Sequence, residues 1–462
     1  MHRGKTGLAL IAWGMAAAAA MSAVSAGEAA RVRVRVDASG ELFAPAGRDA
    51  DPVRQPITVA GRFDFTEQPA AASAAPAAVV RTFADAAADI TVDGRTTRVV
   101  LPDDARRLRV ARIGAVPVPY LAEGFLTRSE VDLLDTPFDA LLVDELQVKE
   151  AIAVGHTWTV PADAAAGLLA IDTIETGGLE ARLEEVVDYR GRVIFEGIVE
   201  GAVDGVPTHV VVEGSCTIAA SPDISSTADA LRYRLDGGVT NVAVTLQERR
   251  QASHVAPGFD IEARVTMSRA RGQAVSPKVA DEHEAEGPRR RGEGRPGLVW
   301  HGDSGRRFDL VHDSRWRAVE ETAGTLVMRY LDRGALVAQC SITALPPAPA
   351  AAMPTIAEVQ RDIRRSLGDQ FERFEGATEA ARSDGVTVVR VESAGSAEKL
   401  PFRWVHYVLA DAAGRRASVT FMMEVPLAKR FGDADQTLID GLSLADDPAA
   451  REARLPRKTA TP

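Results

Sequence analysis

The sequence predicts an α+β protein made of two unequal parts. A large antiparallel, β-rich N-terminal domain is expected over residues 27–270. A smaller C-terminal unit, an antiparallel sheet with two packed helices, is expected over residues 298–445. Three observations predict this division: apolar and polar residues alternate through the first part, a hydrophilic stretch interrupts the chain at 271–297, and helical spacing appears only in short segments. Alternation with period two places one face of a strand on a core and the other in water.

Alternation is clearest near the start of the β-rich domain. Residues Arg31 to Val36 alternate strictly, and the apolar residues between Ile57 and Phe65 share one parity. Asp93-Gly94 separates two strand-like runs and predicts a two-residue hairpin turn. Further strands are predicted at 179–187, 192–202 and 206–219, with turns at 189–191 and 204–205. One alternative for so large a sheet is that it curves into a half-barrel around an apolar ligand.

Two short helices interrupt this domain. Thr127 and Glu130 have the spacing of a capping box, in which each side chain bonds the backbone N–H of the other residue. Pro161 predicts the start of a second helix that continues to Ala170, because proline is favoured at the first position of a helix.

The second unit follows a hydrophilic linker at residues 271–297, where no apolar period survives. Its predicted order of elements is β-β-β-α-β-β-β-α. A capping box at Thr355 and Glu358 begins the first helix, and apolar residues continue it at spacings of three and four: Ile356, Val359, Ile363, Leu367, Phe371 and Phe374. One closing amphipathic helix is predicted from Leu427 to Leu442, and residues 446–462 are predicted to be a disordered tail.

Residues 1–26 have the layout of a secretory signal peptide. Arg3 and Lys5 give a basic start, residues 7–21 are small and apolar, and Ala26 ends a run of small residues suited to cleavage. The apolar run is shorter than the roughly 20 residues that a spanning helix needs. We therefore expect cleavage after Ala26 and a periplasmic or secreted product with no transmembrane segment.

Composition limits the partners of the mature chain. The full chain has 54 Lys and Arg against 65 Asp and Glu. Losing Arg3 and Lys5 with the signal peptide leaves 52 basic residues against the same 65 acidic ones, a net charge of −13. Affinity for nucleic acid depends on clustered Lys and Arg, so this composition predicts that nucleic acid is not a partner.

The two cysteines, Cys216 and Cys340, each lie on the apolar parity of a strand-like run. The favoured interpretation is that both are small buried hydrophobic residues. A disulfide between them is the alternative in an oxidising compartment, and it would link the two units.

No motif assigns a catalytic residue, a cofactor or a metal. The histidines lack any two-ligand spacing, and His406 shares the parity of apolar neighbours, which predicts a packed core histidine. Gly302-Asp303-Ser304-Gly305 resembles the nucleophile loop of trypsin-like proteases. Arg306 replaces a glycine of that loop, however, and no matching histidine motif lies upstream. A polar turn is the favoured interpretation.

Carboxylates are dense in two places. The first run contains Asp132, Asp135, Asp139, Asp144 and Glu145, and the second contains Glu184, Glu185 and Asp188. A solvated acidic face explains such runs. The alternative is a hydrolase in which two of these carboxylates face each other across about 5–10 Å.

Arg31, Arg33 and Arg35 form the one orderly basic stripe of the sequence. Such a stripe suits contact with an anionic lipid or a cell-wall polymer. The favoured interpretation is an edge strand whose exposed charges prevent aggregation.

Four segments resemble a family of uncharacterised secreted proteins of planctomycete bacteria. They are Leu126–Asp135, Val154–Trp158, His254–Gly258 and Arg329–Arg333, with His156 where that family usually has Asp. The family has no established activity, so the resemblance implies no functional residue. By element order, the second unit resembles the Mog1/PsbP-type α/β fold, which implies a non-catalytic, partner-binding module.

These features together predict an exported, non-catalytic envelope protein that binds a partner or an amphiphilic ligand. The expected partner is an envelope protein, a lipid or a wall polymer. Two alternatives stay open: an extracellular hydrolase that uses the acidic runs, and a structural component of the envelope.

Overall fold

The computed structural model describes residues 29–44, 52–70, 78–203, 205–223, 231–252, 257–272, 292–322, 324–333, 335–349 and 353–445. The predicted signal peptide, the predicted tail and most of the predicted linker lie outside the described residues. The described chain is mostly antiparallel β-sheet with a few helices, and its largest element is one extended sheet. The prediction of a β-rich protein is therefore confirmed.

Fourteen strands are described before residue 273, and thirteen of them, all except β7, form the large sheet. They are β1 Ala30–Ala44, β2 Val53–Pro69, β3 Ala78–Val92, β4 Arg95–Val100, β5 Arg107–Ile113, β6 Val116–Tyr120, β7 Leu126–Thr127, β8 Ile152–Ala153, β9 Thr157–Thr159, β10 Thr173–Val187, β11 Arg190–Val203, β12 Val206–Pro222, β13 Arg232–Arg250 and β14 Gly258–Arg271. The order across the sheet is β6-β5-β3-β2-β1-β14-β13-β12-β11-β10-β9, with β4 beside β3 and β8 beside β13.

Strand β1, which carries the basic stripe, lies in the middle of the large sheet. It pairs antiparallel with β2 on one side and with β14 on the other. The interpretation of this stripe as an exposed edge strand is therefore wrong. The pairing of β1 with β14 joins segments more than 200 positions apart, and local alternation carries no information about such partners.

The turns of the large sheet follow the local sequence. Asp93 and Gly94 both have positive φ, 47° and 75°, as a two-residue hairpin turn between β3 and β4 requires. That prediction is confirmed. The turn predicted at 189–191 lies slightly earlier, because Asp188 and Tyr189 are the residues with φ of 47° and 60° and Arg190 already pairs with Val187.

Strands β8 and β9 connect the two sides of the β10–β13 meander. Ile152 pairs with Tyr233 of β13, whereas Trp158 pairs with Ala181 of β10. A short stretch of chain thereby touches strands that are three places apart in the sheet. These strands curve around their core instead of lying flat.

The remaining strands and all helices complete the fold. The strands are β15 Leu298–Gly302, β16 Phe308–Asp313, β17 Trp316–Thr322, β18 Thr325–Asp332, β19 Ala335–Leu345, β20 Phe371–Ala381, β21 Thr387–Ala397, β22 Leu400–Ala410, β23 Arg416–Glu424 and β24 Leu442–Leu444. The helices are α1 Arg128–Leu134, α2 Ala162–Leu169, α3 Ile356–Leu367, α4 Ala428–Phe431 and α5 Ala434–Gly441. Seven of these strands form a sheet in the order β17-β18-β19-β23-β22-β21-β20.

A four-stranded sheet, β24-β16-β15-β7, connects the two parts of the chain. Its β7–β15 pair is parallel and joins Leu126 to Val299. Beside it, the Gly124 amide donates to the Gly292 carbonyl at 2.7 Å. The last residues of the predicted linker are thus bonded to the first part of the chain.

Helix ends show where sequence patterns succeed and fail. Both capping boxes, Thr127–Glu130 and Thr355–Glu358, are present, and α2 ends at Leu169 as predicted within one residue. The helix predicted to reach Phe374 ends at Leu367 instead, because Gly368 has a φ of 52° that helical backbone does not adopt.

The single closing helix predicted for residues 427–442 is also wrong. Two short helices, α4 and α5, are separated at Gly432, whose φ is 57°, and the chain then enters β24. The apolar spacing that suggested one helix reflects two helices packed on the same core, which contains Phe431, Leu438 and Leu442.

The two cysteines lie in separate cores. Cys216 packs in the core of the large sheet and Cys340 in the core of the seven-stranded sheet, and both are free and buried. Burial raises the pKa of Cys216 to about 12. The structure therefore agrees with two buried hydrophobic residues and contradicts a disulfide between them.

Candidate functional site

The core face of the large sheet is covered by the chain between β7 and β10. Its central part, residues 135–147, is here called the cover segment, and α1 and α2 flank it. Four of its side chains are fully buried against the sheet: Phe138, Leu142, Val143 and Leu146. The Phe138 ring stacks on Phe195 of β11, with 5.3 Å between ring centroids. Each such side chain contributes about 1.5–3 kcal/mol through burial.

An arginine of the sheet fixes the start of the cover segment. Arg81 of β3 donates to both carboxylate oxygens of Asp139, at 2.6 and 2.7 Å, and its Nε donates to Glu67 at 2.9 Å. The Arg81 and Asp139 side chains are only 6% and 8% exposed. The guanidinium also lies over the Phe65 ring, 4.9 Å from its centroid. A charged group is thus enclosed in an otherwise apolar layer.

Both members of this pair stay ionised. Burial alone acts to raise the pKa of Asp139, but the charge and hydrogen bonds of Arg81 outweigh it, so that the pKa is lowered. Burial alone acts to lower the pKa of Arg81, and the charges of Asp139 and Glu67 reverse this, so that the pKa is raised. A buried pair of this kind adds little net stability compared with apolar residues, whereas losing one partner is strongly destabilising. The pair therefore fixes where the cover segment docks.

A second arginine fixes the end of the cover segment. Arg269 of β14 donates to Asp144 at 2.9 and 3.1 Å and also to the Ala140 carbonyl. Asp144 accepts a further bond from the Val239 amide of β13 at 2.8 Å. Arg112 of β5 donates to Glu145 as well. Three arginines from three strands of the sheet thus bind carboxylates on one short segment.

The first acidic run is therefore not a solvated face along its whole length. Asp139, Asp144 and Glu145 are the anionic partners of sheet arginines, while Asp132 pairs with Arg128 within α1. Asp135 follows that helix, where burial of the carboxyl raises its pKa to about 6. The signal in the sequence was the apolar set Phe138, Leu142, Val143 and Leu146, which lies between these carboxylates. A solvated run does not carry such a set.

The second acidic run stays on the surface. Glu184 pairs with Arg192 at 2.9 Å, and Glu185 and Asp188 are exposed.

The remaining sequence candidates occupy structural positions. His406 lies between Thr420 and Ser393, at 3.2 and 3.5 Å, and burial lowers its pKa to about 4. Within the residues that the structure describes, no group of three or more His, Cys, Asp or Glu side chains is placed to hold a metal ion.

The Gly302–Gly305 motif forms a turn between β15 and β16. The buried Asp303 carboxylate accepts from the Arg307 amide at 3.0 Å, and Arg306 has a φ of 53°. Ser304 is exposed, and its amide donates to Glu321 at 2.8 Å. The arrangement is that of a polar turn.

Comparisons with known proteins give no family. No family model and no curated protein matches this chain. A lipovitellin structure concerned with lipid–protein interactions is similar over 54% of this chain and 26% of its own, with 7% identity and a TM-score of 0.26. The chain thus spans about a quarter of that protein.

Two other structures align over more of the chain. A mutant porin of Rh. blastica covers 85% of this chain and 99% of its own, with 9% identity and a TM-score of 0.12. OccK5 of Pseudomonas aeruginosa covers 87% and 98%, with 7% identity and a TM-score of 0.12. Such scores assign neither a fold nor a function. In the described part of the chain, no helix has the length and apolar character to cross a membrane.

Proposed function

We propose that this protein is an exported, non-catalytic envelope protein that binds an anionic amphiphile between the large sheet and the cover segment. One observation carries the proposal: Arg81 and Arg269, both nearly buried, hold carboxylates of a segment whose other buried side chains are apolar. The cover segment thus has the two chemical features of an amphiphile, an anionic group and an apolar body.

In this proposal the cover segment occupies the site when no ligand is present. A ligand that displaces it places its acidic head on the Arg81 guanidinium, which Asp139 now holds through two hydrogen bonds. Its apolar chain takes the place of Phe138 against Phe195 and of the buried aliphatic residues of the cover. Charge-assisted, bidentate bonds from arginine are well suited to a carboxylate or phosphate head.

The organisation of the chain fits this role. The large sheet acts as a half-barrel around the cover segment, and the seven-stranded sheet with α3, α4 and α5 acts as a partner-binding module of the Mog1/PsbP type. Cleavage after Ala26 delivers the protein to the periplasm or the exterior, as in the secreted planctomycete family that it resembles. There it meets lipids of the envelope.

The binding role is favoured over the hydrolase alternative. A hydrolase needs two carboxylates of unequal pKa that are free to act on a substrate. In the first acidic run, Asp139, Asp144 and Glu145 are engaged by arginines. No specific contact favours the structural-component alternative.

The test is uptake of cis-parinaric acid by the mature, delipidated protein, followed by fluorescence, with its methyl ester as the uncharged probe. We expect the acid to bind and the ester to bind about tenfold more weakly, since it lacks the charge that Arg81 recognises. No uptake of the acid, or equal uptake of both probes, overturns the proposal.

Two variants of the same pair move affinity in opposite directions. Asp139→Asn weakens the hold on the cover segment and raises the fraction of open protein, so affinity for the acid increases several-fold. The double variant Arg81→Met/Asp139→Leu keeps the cover docked by apolar contacts and removes the cation, so affinity for the acid falls to that of the ester. Arg249→Met/Asp260→Leu, an exposed pair on the other face of the sheet and outside the lining of any described groove, is the matched control and leaves both affinities unchanged.

A further inference from the structure

The outer face of the large sheet, opposite the cover segment, contains a groove of about 700 Å³. It crosses seven neighbouring strands, from β3 through β2, β1, β14, β13 and β12 to β11. With ~4.8 Å between neighbouring strands, the groove is about 29 Å long. It is thus an elongated channel on the solvent side and is separate from the site under the cover segment.

Small side chains, all polar except Ala243, form the floor of the groove in two rows. In one row, Ser268 of β14 and Asn241 of β13 are cross-strand neighbours, and Thr217 of β12 follows. In the other row, Thr266, Ala243 and Ser215 follow each other in the same way. The hydroxyl and amide groups of the other five offer hydrogen bonds along the middle of the groove, and the small size of all six leaves the channel open.

Arginines stand at both ends of this floor. Arg33 and Arg35 of β1 and Arg62 of β2 line one end, and Arg192 of β11 lines the other. Their side chains are between 53% and 71% exposed. Each of these arginines has a carboxylate partner: Asp64 for Arg33, Asp37 for Arg35, Asp85 for Arg62 and Glu184 for Arg192. Exposed pairs of this kind contribute only about 0–1 kcal/mol, so an anionic ligand exchanges them at little cost. The formal charges of these eight side chains cancel, whereas the mature chain as a whole has a net charge of −13.

The arrangement of these arginines conflicts with sheet stability. Arg35 and Arg62 are directly opposite each other on neighbouring strands, and like charges at such positions are destabilising. Protection of an exposed edge does not explain them, because β1 lies in the middle of the sheet. Local conflicts of this kind are expected where a surface is kept for a ligand.

Arg33 retains donors for a ligand. Its nearest carboxylate, Asp64, already accepts two bonds from Arg31, at 2.8 and 2.6 Å, whereas the Arg33 Nε is 3.5 Å from it. A ligand with its own anionic groups can therefore bond Arg33 without displacing a strong ion pair.

We propose that this groove binds an extended anionic polymer of the envelope, with Arg33, Arg35 and Arg62 bonding the charged groups at one end and Arg192 those at the other. A polymer fits better than a membrane surface, because the arginines surround a channel with a polar floor that a flat bilayer does not enter. The site is independent of the amphiphile site, since the two lie on opposite faces of the sheet.

The test measures binding of fluorescein-labelled hyaluronan and of labelled polyphosphate to the mature protein, with neutral dextran of similar length as the uncharged probe. We expect one of the two anionic probes to bind and dextran not to bind, and the successful probe tells carboxylate from phosphate recognition. The triple variant Arg33→Gln/Arg35→Gln/Arg62→Gln loses at least about tenfold in affinity.

The matched control removes three other exposed arginines that lie outside the groove: Arg54→Gln/Arg249→Gln/Arg264→Gln. It has the same net charge as the groove variant, and its affinity stays within about twofold of the wild type. Equal losses in the two triple variants, or no binding of either anionic probe, overturn the proposal. So does arginine-dependent binding to vesicles of phosphatidylglycerol in the absence of polymer binding, which identifies a membrane surface instead.

Discussion

The two faces of the large sheet use arginine in opposite ways. On the core face, Arg81 is 6% exposed and bound on both sides by Asp139 and Glu67. On the outer face, Arg35 is 71% exposed and pairs with Asp37, two residues away on its own strand. Exposed pairs contribute about 0–1 kcal/mol, whereas breaking a buried pair costs roughly 3–5 kcal/mol. The surroundings, and not the residue type, decide what each arginine does.

Because of this difference in exposure, the buried arginines can fix the position of the cover segment, whereas the exposed arginines can bind a ligand from solution. A buried arginine with fixed carboxylate partners selects one position for the cover segment, because every other position leaves a charge without a partner. An exposed arginine remains hydrated, and a ligand meets little cost in reaching it. The core face thus holds part of the chain in place, while the outer face presents charge to the solvent.

The largest expected effect follows from removing the buried arginine. Arg81→Met leaves the Asp139 carboxylate buried without its cation, and we expect a loss of roughly 3–5 kcal/mol in the free energy of unfolding. Urea unfolding of the mature protein at pH 7 measures it.

The double variant Arg81→Met/Asp139→Leu is the control for this prediction, because it removes both charges and keeps the apolar volume. We expect it to recover more than half of the loss. A single variant as stable as the wild type contradicts the view that the core face depends on this pair.

The next effect concerns Arg269. Asp144→Ala removes two bonds to this arginine and the acceptor of the Val239 amide, and we expect a loss of about 1–3 kcal/mol. The loss is smaller than for Arg81 because the Asp144 side chain is 39% exposed and water replaces part of its bonding. Urea unfolding gives the value, and a loss larger than that of Arg81→Met reverses the proposed ranking.

Structural features that depend on a few consecutive residues are predictable from the sequence. The capping boxes at Thr127 and Thr355 and the Asp93-Gly94 turn depend on contacts within four residues, and all three are present. Helix ends are less predictable from the sequence. The apolar spacing continues past Gly368 to Phe371 and Phe374, but the backbone leaves the helix at Gly368 and these two residues belong to a strand.

The candidate site was not predictable in the same way. Asp139 and Arg81 are 58 positions apart, and Asp144 and Arg269 are 125 positions apart. The sequence shows a run of carboxylates and scattered arginines but not which of them meet. The central place of β1 depends likewise on its pairing with β14, and the local alternation that predicts an edge strand contains no information about that pairing.

The buried pair on the core face should also make stability depend on pH, through the charge of Asp139. Its pKa is lowered in the folded protein, so near and below its unfolded value of about 3.9 the unfolded chain binds more protons. The contribution of its charge to stability is therefore complete above that pH and is lost as the pH falls through the folded pKa.

The measurement compares wild type with Asp139→Asn, which cannot titrate at this position. The difference between their free energies of unfolding should be constant from pH 7 to pH 5 and should decrease below about pH 4. A difference that already decreases between pH 7 and pH 5 is inconsistent with a lowered pKa at Asp139.

The smallest effect belongs to the outer face. Arg35→Gln removes one exposed pair and also the like-charge contact with Arg62, so the two changes partly cancel and the free energy of unfolding changes by less than about 0.5 kcal/mol.

At 1 M NaCl, where charges are screened beyond about 3 Å, even this change should vanish. The Arg81→Met loss should persist at that salt concentration, because solvent ions do not enter the core face. If salt removes both effects equally, the two faces do not differ in the way that their exposures indicate, and the groove arginines have no special availability to an anionic ligand.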